Sequence, residues 1–291
     1  METQVTEIFE ELVNLFMQDL RDKSRSELTV AAYGSDLRGF GEYLTEVGYP
    51  ATFPHVSVLP QMYMGYFRSR GLADATITRK LTCLRTFYDF LVRTGRCEAN
   101  PFRTIKSPRS TKPLPKVLTV EQAVRLLEAP PADTWIGARD RLMFHLLYSS
   151  GMRVSELVSL DLQDLNMAEM TARVRNSHGG TRTVPLRPAA MEALRLYLRN
   201  RARQFKSDEA MDYVPLLVNK DGKRISQRSV RRKLDLYLRQ IGFDMEISPH
   251  TLRHTCAVHM LKAGADPEEV RQRLGHQSMQ QVRQYQAMLE R

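Results

Sequence analysis

Residues 103–117 read RTIKSPRSTKPLPKV, and this stretch divides the chain. Its three prolines and five basic residues carry almost no apolar periodicity, the pattern of an extended connector. Residues 1–108 then form one domain, 109–116 a linker and 117–291 a second domain. The full length of 291 residues suits two domains, each large enough to bury its own core.

Upstream of the connector the apolar residues repeat at helical spacing. EIFEELVNLFMQDL (7–20) places Ile8, Leu12, Leu15, Phe16 and Leu20 on one face, and TVAAYGSDLRGFGEYL (29–44) does the same with Val30, Tyr33, Leu37, Phe40 and Leu44. SVLPQMYMGYFRSR (57–70) and ATITRKLTCLRTFYDFLVRTG (75–95) add two further helices, the last closing at Gly95. A small four-helix, all-α domain is expected.

Downstream, Thr119 and Gln122 have the spacing of a capping box, and ARDRLMFHLLYSSG (138–151) follows as a helix. MTARVRNSHGGTRTVPL (170–186) reads as two short strands about a Gly179-Gly180 turn. PAAMEALRLYLRNRARQF opens a helix at Pro188, YVPLLVN (213–219) reads as a further strand, and SQRSVRRKLDLYLRQIG (226–242) as another helix. The last fifty residues break into three or four short helices at Gly264, Asp266-Pro267 and Gly275. The fold class expected is mainly α with a small β-sheet: a four-helix domain followed by an α+β domain.

Forty-three basic residues against 33 acidic ones give a net charge of +10, and 33 of the basic residues are arginine. The planar guanidinium matches phosphate oxygens, so this excess favours a polyanionic partner. It is also lopsided, +1 over residues 1–110 and +9 over 111–291. Cys83, Cys97 and Cys256 are odd in number and far apart, which excludes a disulfide framework and a cysteine zinc site. No stretch reaches the roughly 18 apolar residues of a membrane helix, and Glu2, Glu7, Glu10 and Glu11 stand where a basic leader would be. A cytoplasmic chain without membrane work is expected.

There is no P-loop, GxGxxG, HExxH or carboxylate cluster suited to Mg²⁺. Charge on a phosphate must then be met by Arg, His and Lys. HTLRH puts His250 and Arg253 on one face at a helix start, where the helix field favours an anion. His250 and His254 also have the spacing of metal ligands, but no third ligand is evident. In GMRVSEL, Arg153 lies just after Gly151, with Glu156 three residues on to orient its guanidinium. LGH supplies His276, and Tyr285 follows nine residues later.

GMRVSEL, HTLRH, LGH and the tyrosine nine residues beyond, in this order, resemble the signature of the tyrosine recombinases, in particular the Xer-type and phage-integrase branch. The resemblance covers nearly the whole chain: the first domain is similar to the family's core-binding, SAM-like domain and residues 117–291 to its catalytic domain. It implies a site-specific recombinase working on a double-stranded DNA site with neither metal nor cofactor nor ATP. Tyr285 would attack a phosphodiester to give a 3′-phosphotyrosyl link and a free 5′-hydroxyl. Arg153 and Arg253 would clamp the non-bridging oxygens, His250 would manage the tyrosine proton, His276 would donate to the phosphate, and Glu156 would support them. It further implies a tetramer on DNA that passes through a Holliday junction, either of one chain or with a second recombinase.

The family carries a lysine in the hairpin turn to protonate the 5′-oxygen, and here that position holds Ser177, with no lysine between Lys116 and Lys206. His178 is the choice of substitute acid; electrostatic help from Arg175 or Arg182, or slow cleavage, stand beside it. Arginine is a poor proton donor, because its pKa is above about 12. Six residues follow Tyr285, where Xer-like relatives continue into a segment that docks on the next protomer, so docking in trans is left open. For DNA contacts, Thr76, Thr78, Arg79 and Lys80 open a helix suited to a major groove, and Arg228, Arg231 and Arg232 offer a second basic face. The rival expectation is a DNA-binding relative of weak or no chemistry, and a His-metal hydrolase is more distant.

Overall fold

The computed structural model describes residues 2–48, 59–108, 115–176, 179–205, 214–243 and 246–289. The chain divides into two compact units, Met1–Lys112 and Pro113–Arg291.

The first unit consists of α1 (Glu2–Asp22), α2 (Glu27–Glu46), α3 (Leu59–Ser69) and α4 (Asp74–Arg93). Ser26 starts α2 by accepting the Thr29 N–H at 3.2 Å, satisfying one of the donors a helix start leaves unpaired. Its core is largely aromatic, with Phe16, Phe40, Phe87 and Tyr88 buried alongside Leu37, Leu81 and Leu84. Phe16 meets Phe87 edge-on at 5.3 Å, a favoured arrangement of ring quadrupoles. The buried stripe of α1 differs from the expected one: Leu12, Phe16 and Leu20 are inside, but Ile8 and Leu15 are exposed and Phe9 and Met17 are buried. The stripe centres on the two phenylalanines, and at 3.6 residues per turn that leaves Ile8 and Leu15 beyond its edge.

The second unit is built around α6 (Trp135–Ser150), which packs against α8 (Pro188–Gln204) and α10 (Pro249–Lys262). α5 (Val120–Glu128) precedes it, opened by the Thr119/Gln122 capping box. α7 (Val154–Ser159) leads to a three-stranded antiparallel sheet of β1 (Leu165–Asn166), β2 (Thr171–Arg175) and β3 (Thr181–Pro185), in that order. Ala172 pairs with Val184, and both are buried with Val174, so one face of the hairpin closes onto the core. α9 (Gln227–Gln240), α11 (Pro267–Leu274) and α12 (Gln280–Gln286) complete the unit. Of the stretch expected as a strand at 213–219, Tyr213 lies outside the described residues, and 214–219 is not a strand: it contributes isolated bridges, Asp161 with Pro215 and Val218 with Arg224. Pro215 has no N–H for a ladder, so Leu216, Leu217 and Val218 reach the core as an irregular segment.

Two features of this unit set the stage for chemistry. Gly151 ends α6 in the left-handed region (φ 63°), and a Cβ there would lie 2.3 Å from Leu274 Cδ2. Only glycine satisfies both demands. Separately, α10, α11 and α12 share a small apolar cluster of Cys256, Val258, Met260, Val270, Leu274, Val282 and Tyr285.

Phe87→Ala should destabilise the first unit by about 3–5 kcal/mol, because it empties a ring-sized volume in a fully buried site. Leu28→Ala, at a residue 74% exposed, should stay within about 0.5 kcal/mol. Urea unfolding curves of the two variants check the contrast.

Candidate active site

The loop after Gly151 carries Arg153 to the N-cap of α7. Its backbone N–H donates to Glu156 Oε2 at 2.7 Å and its guanidinium to Oε1 at 3.1 Å. From β3, Arg182 places Nη1 and Nη2 on the two oxygens of the same carboxylate, each at 2.8 Å, and Nε on the Arg273 carbonyl at 2.9 Å. Glu156 is only 2% exposed. Burial alone would raise its pKa, but the hydrogen bonds from Arg182 and Arg153 outweigh it and hold the carboxyl below its ordinary range.

Arg253 is buried on α10 and fixed by backbone rather than by an acid. Nη1 donates to the Gly151 carbonyl at 2.6 Å and Nη2 to the Leu274 carbonyl at 2.5 Å. These carbonyls end α6 and α11, where the helix dipole is negative and a cation is favoured. Burial and then the charge of Arg153 push the Arg253 pKa down to about 10, which leaves it protonated at neutral pH. Gly275 (φ 65°) closes α11, and a Cβ there would press on the Arg182 guanidinium at 3.1 Å.

Tyr285 on α12 is 3% exposed, its ring in the apolar cluster. Its Oη lies 2.7 Å from His254 Nδ1. Burial raises the phenol pKa against the pull of Arg253, so the hydroxyl is neutral. Burial, with His250 and Arg253, lowers the His254 pKa to about 4. The His276 ring lies tilted, 6.3 Å from that of Tyr285, and its buried Nδ1 has no hydrogen-bond partner among the described residues. Burial, then Arg253 and Arg153, lower its pKa to about 3. His250 sits at the exposed start of α10, its ring 6.4 Å from that of His254. Its pKa is lowered by burial, Arg253, Arg153 and Arg231.

Arg153, Glu156, His250, Arg253, His276 and Tyr285 are therefore gathered from four separate helices or their caps. Two guanidiniums share one carboxylate and a third, Arg253, is held by carbonyls alone, leaving a cationic pocket with a neutral phenol at its edge and an imidazole nitrogen that has no partner among the described residues. Such a pocket is suited to an anion whose charge grows during reaction. His254, weighed in the sequence only as a metal partner of His250, is engaged with Tyr285 instead. Among the described residues no group of three His, Cys, Asp or Glu side chains is placed to hold a metal ion.

Ser177 and His178 lie outside the described residues. Of the two arginines set beside His178, Arg175 binds Asp161 at 3.4 Å and also Asp164. Arg182 does belong to the site, through Glu156. In the first unit, Arg79 and Lys80 share the buried carboxylate of Asp36, with Lys80 Nζ at 3.1 Å from Oδ1. The sequence reading missed Asp36, whose signal was an acid four residues before Phe40, at the edge of the apolar stripe of α2. Arg228, Arg231 and Arg232 are exposed on α9 and make no ion pair among the described residues.

Residues 116–291 match the phage integrase family, and residues 13–95 match the phage integrase N-terminal SAM-like domain. The chain is 38% identical over 267 residues to the tyrosine recombinase XerC of Thermodesulfovibrio yellowstonii, covering 90% of this chain and 86% of the relative. It is 31% identical over 258 residues to the tyrosine recombinase XerD of Halalkalibacterium halodurans, covering 88% and 85%. In fold it is similar to the XerH site-specific recombinase in a post-cleavage complex with a palindromic difH substrate (TM-score 0.75, 19% identity, 99% of this chain and 81% of that one). A lambda integrase dimer bound to a COC′ core site is similar too (TM-score 0.72, 16% identity, 94% and 96%). By these matches the chain belongs to the phage integrase family, the family of the tyrosine recombinases.

Proposed function

We propose that the chain is a site-specific recombinase that cuts and rejoins double-stranded DNA through Tyr285. The observation that carries this reading is a buried cluster of three guanidiniums, Arg153 and Arg182 fixed on the Glu156 carboxylate and Arg253 on two helix-end carbonyls, with Arg253 and Arg153 near enough to act on the Tyr285 phenol. A scissile phosphate entering the pocket meets Arg153 and Arg253 at its non-bridging oxygens and His276 as a further donor. Charge that builds on those oxygens as Tyr285 Oη approaches phosphorus is met by groups already fixed in place. The 5′-oxygen departs, leaving a 3′-phosphotyrosyl bond, and the ester energy kept in that bond allows rejoining without ATP.

In this reading residues 1–108 bind DNA as the core-binding domain, 109–116 link the domains, and 117–291 carry the chemistry. Arg228, Arg231 and Arg232 offer phosphates an exposed basic face on α9, while Arg79 and Lys80 are offered to phosphates as a pair backed by Asp36. His250, at the exposed mouth, is suited to proton traffic with solvent. Recombination proceeds in a tetramer through a Holliday junction, of this chain alone or with a second recombinase, in the cytoplasm. No helix of the described residues is long and apolar enough to cross a membrane. A second reading, an accessory DNA-binding relative, draws on one observation: Ser177 stands where the family's hairpin lysine is expected.

Incubation with a nicked duplex selected from a randomised pool by binding to the chain should give a denaturant-resistant protein–DNA adduct. Tyr285→Phe should abolish the adduct without weakening binding, and EDTA should not affect it. Binding with no adduct from the unaltered chain would favour the accessory reading.

Glu156→Ala leaves Arg153 and Arg182 without their shared partner. The expected cost is about 3–5 kcal/mol in urea unfolding, with adduct formation slowed by at least about tenfold. Glu156→Gln, which keeps two acceptor or donor sites in place, should lose less of both. Binding should also weaken steeply between about 50 and 200 mM salt, and Arg231→Ala should flatten that slope by about one unit.

A further inference from the structure

Among the described residues the Tyr285 hydroxyl has one side-chain partner, and it is neither His250 nor His276. It is Nδ1 of His254, at 2.7 Å. The two residues lie 31 apart in sequence and are joined through the packing of α12 on α10.

The direction of this hydrogen bond follows from the charges around it. Arg253 and Arg153 are near enough to Tyr285 for their fields to act on its phenol. Cations attract the oxygen lone pairs and repel the hydroxyl hydrogen, so the lone pairs turn to the guanidiniums and the hydrogen points to His254. A neutral imidazole with Nδ1 unprotonated accepts it. The nucleophile's electrons are thereby aimed at the place where the guanidiniums would hold a phosphate. His254 follows Arg253 directly on α10, so one helical turn fixes both the anion clamp and the acceptor of the phenol proton.

We propose that His254 is a catalytic residue, the base that holds the Tyr285 hydroxyl hydrogen and takes it as Tyr285 attacks DNA. The proposal rests on the recombinase reading and deepens it. In the cleaving step the Oη–H bond breaks and its proton passes to Nδ1. The Oη–P bond forms, and the P–O5′ bond breaks with its electron pair leaving on the 5′-oxygen, which takes a proton from water. Rejoining runs the same transfers in reverse, the His254 imidazolium returning the proton to the phenol. His254 is a weak base in the DNA-free chain, where burial, His250 and Arg253 all disfavour its charged form. A phosphodiester in the pocket is an anion, and it offsets Arg253 and raises the basicity of His254 when a base is required. His250, exposed at the mouth, then exchanges protons with solvent rather than with the phenol.

The test compares the unaltered chain, His254→Leu and His254→Asn in single-turnover adduct formation on the selected nicked duplex. The same duplex is also made with sulfur in place of the bridging 5′-oxygen at the mapped cleavage position. Sulfur leaves without needing a proton, so it rescues a defect on the leaving-group side and not one on the nucleophile side. The expected result is DNA affinity within about twofold for all three proteins and adduct formation slowed about a hundredfold or more in His254→Leu on both substrates. His254→Asn, whose Oδ1 can accept the hydroxyl hydrogen but cannot take the proton, should keep the phenol oriented and still cleave far more slowly than the unaltered chain. The proposal is overturned if His254→Leu cleaves the ordinary duplex at the unaltered rate, if sulfur removes its defect, or if His254→Asn, melting as the unaltered chain does, cleaves at the unaltered rate. In each of those cases the unaltered chain still forms its adduct. An unaltered chain that forms none on either duplex overturns the recombinase reading and this proposal together.

Discussion

One buried carboxylate holds the site in shape. Glu156 accepts both oxygens' worth of hydrogen bonds from Arg182 and a further pair from the guanidinium and backbone of Arg153. Without it, guanidiniums arriving from the α7 cap and from β3 would repel one another in a poorly solvated space. With it, they are fixed but not neutralised, because Arg253 adds a third charge that is satisfied only by carbonyl dipoles. The pocket is therefore short of negative charge by design of its partners. The low pKa values of His276 and His254 and the lowered pKa of Arg253 express that same positive field together with burial. A phosphodiester supplies what is missing, and most supplies it when its own charge is most concentrated.

The scaffold follows from this requirement. Gly151 and Gly275 are left-handed helix ends whose lack of a Cβ permits close approach, of Leu274 at the first and of the Arg182 guanidinium at the second. Each also ends a helix whose terminal carbonyl grips Arg253: that of Gly151 itself after α6, and that of Leu274 just before Gly275. The small sheet serves the same end, since its register sets Arg182 opposite Val174 and carries the guanidinium to Glu156.

Much of this was legible in the chain because it is local. The four helices of the first unit, the hairpin about Gly179-Gly180 and the Thr119/Gln122 capping box all follow from spacing and from proline and glycine placement. The residues that the structure gathers around Glu156 and Tyr285 were named from short motifs in order. What escaped depends on residues far apart in sequence. Asp36 meets Arg79 across 43 residues, and His254 meets Tyr285 across 31. No periodicity reports such pairs. The 213–219 stretch misled because an apolar run is equally at home in an irregular buried segment, and Ile8 and Leu15 because two phenylalanines recentred the stripe of α1.

Tyr285 belongs to two structures at once, since its hydroxyl faces the cationic pocket while its ring helps to fill the apolar cluster of α10, α11 and α12. On the recombinase reading this couples turnover to local opening. Any step that draws the ring away from His254 also draws it out of that cluster, so the ease with which α12 breathes becomes a timer on the reaction. Val270 and Val282 lie in that cluster with the tyrosine, and their side chains have no polar atom to offer a phosphate. On that reading, changes at these two positions would retune the tempo of strand exchange without removing a polar group of the pocket.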